Sequence, residues 1–121
     1  MDDRIQQALA QDRTIDITTV GRQSGQPRRL EIWIHNLDGE VYITGTPGRR
    51  DWYANMLAQP AFTFHLKGRV VADLPARATP ITDPAQRRAI FATILARLGH
   101  GRDLEEWLAG SPLVRVTFPE A

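Results

Sequence analysis

The sequence contains no cysteine, which excludes disulfides, thiolate nucleophiles and thiolate metal sites. A cysteine-free chain also suits a reducing compartment. No apolar run approaches the roughly 20 residues that a membrane-spanning helix needs. The first residues, MDDRIQQALAQDR, are acidic and polar, unlike a secretory signal, so a cytoplasmic protein is expected. Lysine is nearly absent: of 15 basic residues only Lys67 is not arginine. On composition alone a GC-rich coding sequence is the favoured explanation, ahead of a need for bidentate anion contacts. The net charge of +1 gives no global positive field of the kind that announces nucleic acid. There is no GxGxxG, no GxxxxGK[ST] and no GxSxG, so dinucleotide, P-loop and serine-hydrolase chemistry lack support. His35, His65 and His100 are far apart without ligand spacing. No metal site is expected, and each reads as a satisfied or exposed side chain.

What is present suits one globular domain over residues 1–121, with 42% hydrophobic and 24% charged residues. Ile5 to Leu9 reads as a short helix. Ile15 to Val20, Arg29 to Asn36 and Glu40 to Thr46 alternate as strands. In the second, Leu30, Ile32 and Ile34 share a face opposite Glu31, Trp33 and His35. In the third, Val41 and Ile43 face inward, with Tyr42 and Thr44 on the other side. Asp38-Gly39 between them is a hairpin turn. A short helix is expected over Asp51 to Ala58, with Asp51 as N-cap. Further strands are expected over Ala61 to Leu66 and Val70 to Ala78, the latter interrupted by Pro75 and so at an edge or bulge. Asp83-Pro84-Ala85-Gln86 opens a helix that Gly99 stops. Asp103 to Ala109 and Leu113 to Phe118 read as a short helix and a last strand. About six mostly antiparallel strands with three or four short helices favour a mainly β closed barrel over a doubly wound sheet.

Two loops carry the chemical signal. Gly21 to Arg29 (GRQSGQPRR) holds two glycines, which allow backbone N–H groups to approach a ligand, with Ser24 and three arginines beside them. The same pattern also suits a hairpin loop with a solvated basic rim. Thr44 to Asn55 (TGTPGRRDWYAN) runs from a strand through a Gly/Pro turn into a helix start, where free N–H groups and the helix dipole favour an anion. Trp52 and Tyr53 offer flat surface for an aromatic ring. A plain capped helix with Trp52 in the core fits that stretch too.

On these two loops the chain resembles the deazaflavin-dependent nitroreductases, also described as the nitroreductase/quinone reductase family of coenzyme F420-dependent oxidoreductases. The family pattern TTxGRxSGxPR stands here as Thr18 to Arg28, and WYxNLxANP as Trp52 to Pro60. The resemblance runs nearly the whole length. It implies a split β-barrel of the FMN/deazaflavin-binding type. It also implies that Arg22, Ser24, Gly25, Arg28 and Arg29 hold the coenzyme's phosphate or acidic tail, and that Thr46 and Gly48 sit beside the ring. Arg49 and Arg50 would extend the basic channel, and Trp52 and Asn55 would brace the helix that shapes it. Three features depart from the family. The turn before Trp52 is short, Pro47 stands where lysine is common, and the stretch Leu98 to Leu104, on the family's substrate side, has no tyrosine. His100 is the one ring in that stretch, and so the candidate proton donor.

The resemblance implies an oxidoreductase that uses reduced F420 to pass a hydride to a quinone, nitro compound or activated double bond. Two other readings stay open at this point. One is the same barrel holding FMN or an apolar ligand. The other is a non-enzymatic nucleic-acid module, which lacks the interleaved aromatics of a stacking platform. A small-molecule substrate, no nucleic-acid partner, a possible peripheral membrane contact and a possible homodimer complete the expectations.

Overall fold

The alternation in the sequence becomes a sheet whose two faces are covered by different things. The computed structural model describes residues 1–99 and 101–119. Its strands are β1 (Thr14–Val20), β2 (Pro27–Leu37), β3 (Glu40–Thr44), β4 (Ala61–Lys67), β5 (Val71–Pro80) and β6 (Leu113–Thr117). Its helices are α1 (Asp3–Gln11), α2 (Asp51–Ala58), α3 (Pro84–Leu98) and α4 (Leu104–Gly110). All strand pairs are antiparallel, and the barrel closes in the order β1-β2-β3-β6-β5-β4, with β4 returning to β1. This is the expected split β-barrel.

Inward positions of the strands make the main core. Ile15, Ile17, Ile43, Phe64 and Val114 are sealed from solvent, and α1 and α2 add Leu9, Trp52 and Met56 to the same cluster. The β2–β3 hairpin turns at Asp38 and Gly39, with φ of 54° and 91°. Both central residues of that tight turn must be left-handed, which selects Asp-Gly.

The outer face is where expectation and structure differ. Tyr42 and Thr44 do face away from Val41 and Ile43, yet both are buried. The apolar stripe of α3 requires a surface to cover. It lies with α4 on the outside of β3 and β6, where Ile90, Phe91, Ile94 and Trp107 enclose Tyr42 and Leu113 in a second core. Phe91 and Trp107 meet edge to face at 5.9 Å. Pro75 is opposite Thr63 of β4, beyond the stretch Arg77–Pro80 that pairs with β6. A residue without an N–H is tolerated there because one side of the strand has no partner.

Helix starts follow local chemistry in one case and depart from it in another. Asp83 caps α3 as expected: its carboxylate accepts from the Gln86 N–H at 2.9 Å, with Pro84 in the first turn. Asp83→Ala is expected to lower stability by about 1 kcal/mol, a drop of about 3–5 °C in thermal unfolding for a domain this size. At α2, however, Arg50 and not Asp51 occupies the N-cap, in extended conformation, and no side chain caps the helix. Its first-turn N–H groups have no partner among the described residues.

His65 shows what a satisfied histidine looks like in this barrel. It is buried, with Nε2 2.6 Å from the Thr18 hydroxyl and Nδ1 2.6 Å from an Asp73 carboxylate oxygen. The chain of contacts ties β1, β4 and β5 together. The hydrogen bond from His65 holds the Asp73 carboxyl below its usual range. Among the described residues no helix is long and apolar enough to cross a membrane.

Candidate functional site

The loop between β1 and β2 folds back on itself because Gly25 adopts φ 70°, a conformation that side chains with a Cβ rarely take. The Gly21 N–H donates to the Gln26 carbonyl and the Gly25 N–H to the Gly21 carbonyl, at 2.8 and 2.9 Å. The turn brings Arg22 against α2. Asn55, buried in α2, accepts from both the backbone N–H and the guanidinium of Arg22, at 3.0 and 2.9 Å. The Asn55 amide also donates to the Thr19 hydroxyl at 3.2 Å. Asn55 therefore locks loop, strand and helix in one geometry, with every bond made by a side chain too buried to be solvated elsewhere.

A cleft of about 360 Å³ opens over this lock, with Arg22, Ser24, Arg28, Leu30, Trp52 and Asn55 among its walls. Asp51 is its one carboxylate among the described residues, and it makes an exposed 3.4 Å pair with Arg22, a contact worth little against solvent. Arg28 has no side-chain hydrogen bond or ion pair among the described residues, so its guanidinium is available to a ligand.

A second cleft, of about 560 Å³, is lined by Gly48, Arg49, Arg50, Tyr53 and Arg87. Arg49, Arg50 and Tyr53 line this cleft while Asp51 and Trp52 line the first, so the uncapped start of α2 borders both. The loop that carries Gly48 is fixed at each end. The Gly48 N–H donates to the Gly110 carbonyl at 3.0 Å, and Arg50 reaches back to the Thr46 carbonyl and hydroxyl at 2.9 and 2.8 Å. Gly48 has φ 138°, and a Cβ there would come within 3.0 Å of the Arg50 guanidinium. The position is reserved for glycine on both counts. Arg49 is exposed and has no side-chain hydrogen bond or ion pair among the described residues.

The donor set fits a ligand bearing phosphate and carboxylates. Among the described residues it consists of two guanidiniums without a partner, a third held in place by Asn55, the Ser24 hydroxyl and an open helix N-terminus. Leu30 and the edge of Trp52 supply apolar wall.

The structure divides the residues expected at the site. Arg22, Ser24, Arg28, Trp52 and Asn55 share the first cleft; Gly48, Arg49 and Arg50 share the second. Gly25 shapes the first loop without lining its cleft. Arg29 lies elsewhere: it pairs with Asp16 on the outer face of the barrel at 3.0 Å, where Lys67 also holds Asp16 at 2.7 Å and bridges to Glu31. The Lys67 hydrogen bond, then that of Arg29, keeps the Asp16 carboxyl below its usual range. The expectation that Arg28 and Arg29 act together fails because β2 begins at Pro27 and includes both, and successive strand side chains point to opposite faces. His100 lies outside the described residues.

Thr46 belongs to a third cleft, of about 240 Å³, that the sequence did not announce. Trp33 and His35 from β2 meet Thr46, Leu98, Arg102 and Trp107 there. Trp33 is 46% exposed beside the cavity, with the Arg13 guanidinium over its ring at 5.0 Å. The signal was in the alternation, which put Trp33 and His35 on the outer face together.

Comparison with known proteins follows the same lines. No curated protein matches the sequence. A conserved hypothetical protein from Mycobacterium tuberculosis has the same fold, with a TM-score of 0.77 and 17% identity over 98% of this chain and 81% of that one. An F420 reductase superposes with a TM-score of 0.70 at 20% identity, covering 93% and 91% of the two chains. A FAD-binding protein from Mesorhizobium loti gives 0.66 at 15% identity, over 96% and 86%. At these identities the likeness is one of fold. The sequence family described as F420H(2)-dependent quinone reductase matches residues 2–101, which span both arginine loops, and the chain belongs to that family.

Proposed function

We propose that this chain binds coenzyme F420 with the phosphate and acidic tail across the two arginine clefts, and that it reduces a small planar acceptor in the cleft of Trp33 and Trp107. The observation that carries the reading is the convergence of Arg22, Arg28 and Ser24 with the open N-terminus of α2 on one concavity. When bound in reduced form, the deazaflavin supplies a hydride. The chain's own part is to bind, orient and exclude water. Arg28 and Arg49 neutralise the acid groups. Asn55 keeps the Arg22 fork aimed into the cleft. The Gly48 loop, pinned to Gly110 and to Arg50, sets the border between the coenzyme's clefts and the aromatic one. Acceptors of the right class are quinones, nitro compounds and activated double bonds, with a quinone favoured by the family to which the chain belongs. No side chain is needed as a nucleophile.

The test is a titration of oxidised F420 followed by its fluorescence, with FMN in a parallel series. Saturable F420 binding that weakens as salt is raised is expected. FMN carries a phosphate but no acidic tail, so it is expected to bind more weakly. FMN binding tighter than F420, or no F420 binding at all, contradicts the reading.

A further inference from the structure

The two described histidines of this barrel have opposite fates. His65 has both ring nitrogens engaged by Thr18 and Asp73. His35 has no hydrogen-bond partner among the described residues, is half-buried, and lines the aromatic cleft with Trp33, Thr46 and Trp107. A partly desolvated ring with spare donor capacity, in a cavity walled by two indoles, is suited to a flat ligand that carries a carbonyl oxygen.

We propose that His35 is a catalytic residue: its ring N–H donates a hydrogen bond to the carbonyl oxygen of a quinone lying against Trp33 and Trp107. Burial first, then the nearby charges of Arg13 and Arg97, push the His35 imidazole below its usual pKa. Arg102 also lines the cleft, Tyr42 is the cross-strand neighbour of His35 on β3, and no carboxylate lines the cavity among the described residues. Burial and these charges favour the neutral ring. A neutral imidazole polarises a carbonyl without adding net charge to the site.

The inference rests on the reading above for its source of hydride, and the balance is simple. A bound reduced coenzyme would supply two electrons and one proton as a hydride, itself becoming oxidised, and one carbonyl of the quinone would take them up. The opposite quinone oxygen becomes a phenolate, stabilised by the His35 N–H, and water supplies the second proton. His35 keeps its own proton throughout. Its contribution is the kind made by one oxyanion donor, whose removal costs about 100-fold in turnover.

Two measurements decide the matter, and one of them contains no coenzyme. In coenzyme-free protein, 1,4-naphthoquinone is expected to quench tryptophan fluorescence saturably and to shift the ¹⁵N resonances of the His35 ring. Trp33→Phe is expected to remove much of the quenching. With reduced F420 present, His35→Phe is expected to lower kcat about 100-fold with a smaller change in KM, and His35→Gln, which keeps an N–H donor, to restore part of it. If the naphthoquinone leaves the His35 ring unmoved, or His35→Phe turns over like the parent, the assignment is overturned. Failure of F420 to bind would contradict the coenzyme reading alone, since the quenching and ring shifts are measured without it.

Discussion

Replacing Arg28 and Arg49 together with alanine is expected to weaken F420 binding about 100-fold and to leave the melting temperature nearly unchanged. The magnitude follows from the chemistry of the contacts. A hydrogen bond between a guanidinium and a phosphate or carboxylate contributes about 1.5–3 kcal/mol when shielded. The lower end applies here because both side chains are exposed, which gives about tenfold for each. The two arginines line different clefts and so meet different acid groups of the tail, for which the effects are expected to add. Stability is spared because neither side chain has an intramolecular partner among the described residues. Arg29→Ala is the matched control: it removes a cation adjacent in sequence to Arg28, but one turned toward Asp16 outside the barrel, and binding is expected to change less than about twofold. Arg49→Ala without effect, beside a tenfold loss in Arg28→Ala, would confine the coenzyme to the first cleft. Isothermal calorimetry on the three single variants and the double separates these outcomes.

Arg87→Ala is expected to act the other way, on the fold. The Arg87 side chain leaves α3 and donates to the carbonyls of Ile81, Leu108 and Ser111 at 2.9–3.0 Å, with a longer contact to Trp107. It also lies over the Phe91 ring at 5.1 Å. The last carbonyls of a helix have no partner within it, and α4 ends here with no basic residue of its own in the last turn. Arg87 serves as its C-terminal cap from another helix. Its loss strands several partly buried carbonyls and forfeits the ring contact. The expected cost is about 3 kcal/mol, or about 10–15 °C in melting temperature. Arg87→Lys keeps the charge without the planar fork and is expected to recover only a minor part. The same corner supports the site: the Thr44 hydroxyl donates to the Pro112 carbonyl, and the Gly48 N–H to the Gly110 carbonyl. Arg87→Ala is therefore expected to loosen the Gly48 loop, visible as faster amide exchange at Gly48. An unchanged melting temperature would show that water replaces the guanidinium without loss.

The two cases mark what the sequence made legible and what it did not. Strand alternation, the Asp38-Gly39 turn and the Asp83-Pro84 start are local, and the physics that fixes them acts over four or five residues. They appear in the structure where the sequence put them. Strand ends depend on what lies beside them: β3 stops at Thr44 because Gly45 begins the turn, and β5 continues to Pro80 because β6 pairs with its last residues. Long-range partners left no local mark. Nothing in the α3 sequence says that Arg87 caps α4. Nothing around His65 says that Thr18, 47 residues earlier, completes its bonds. Alternation puts Tyr42 on the outer face but cannot say that two helices cover it. At the site, both loops were visible as composition, while their division between two clefts on either side of the α2 start was set by tertiary folding. The open start of α2 was concealed by Asp51, a good capping residue one position too late to cap.

The account depends on the acidic part of the coenzyme lying at the start of α2 between the two arginine loops. Amide chemical-shift mapping of ¹⁵N-labelled protein with F420 tests this most directly. The account predicts the largest shifts at Arg22 to Gly25, at Arg28 and at Asp51 to Tyr53, with smaller ones at Gly48 and Arg49. Shifts gathered instead in the groove of Thr82, Arg88 and Glu105, with the two loops unmoved, would contradict it.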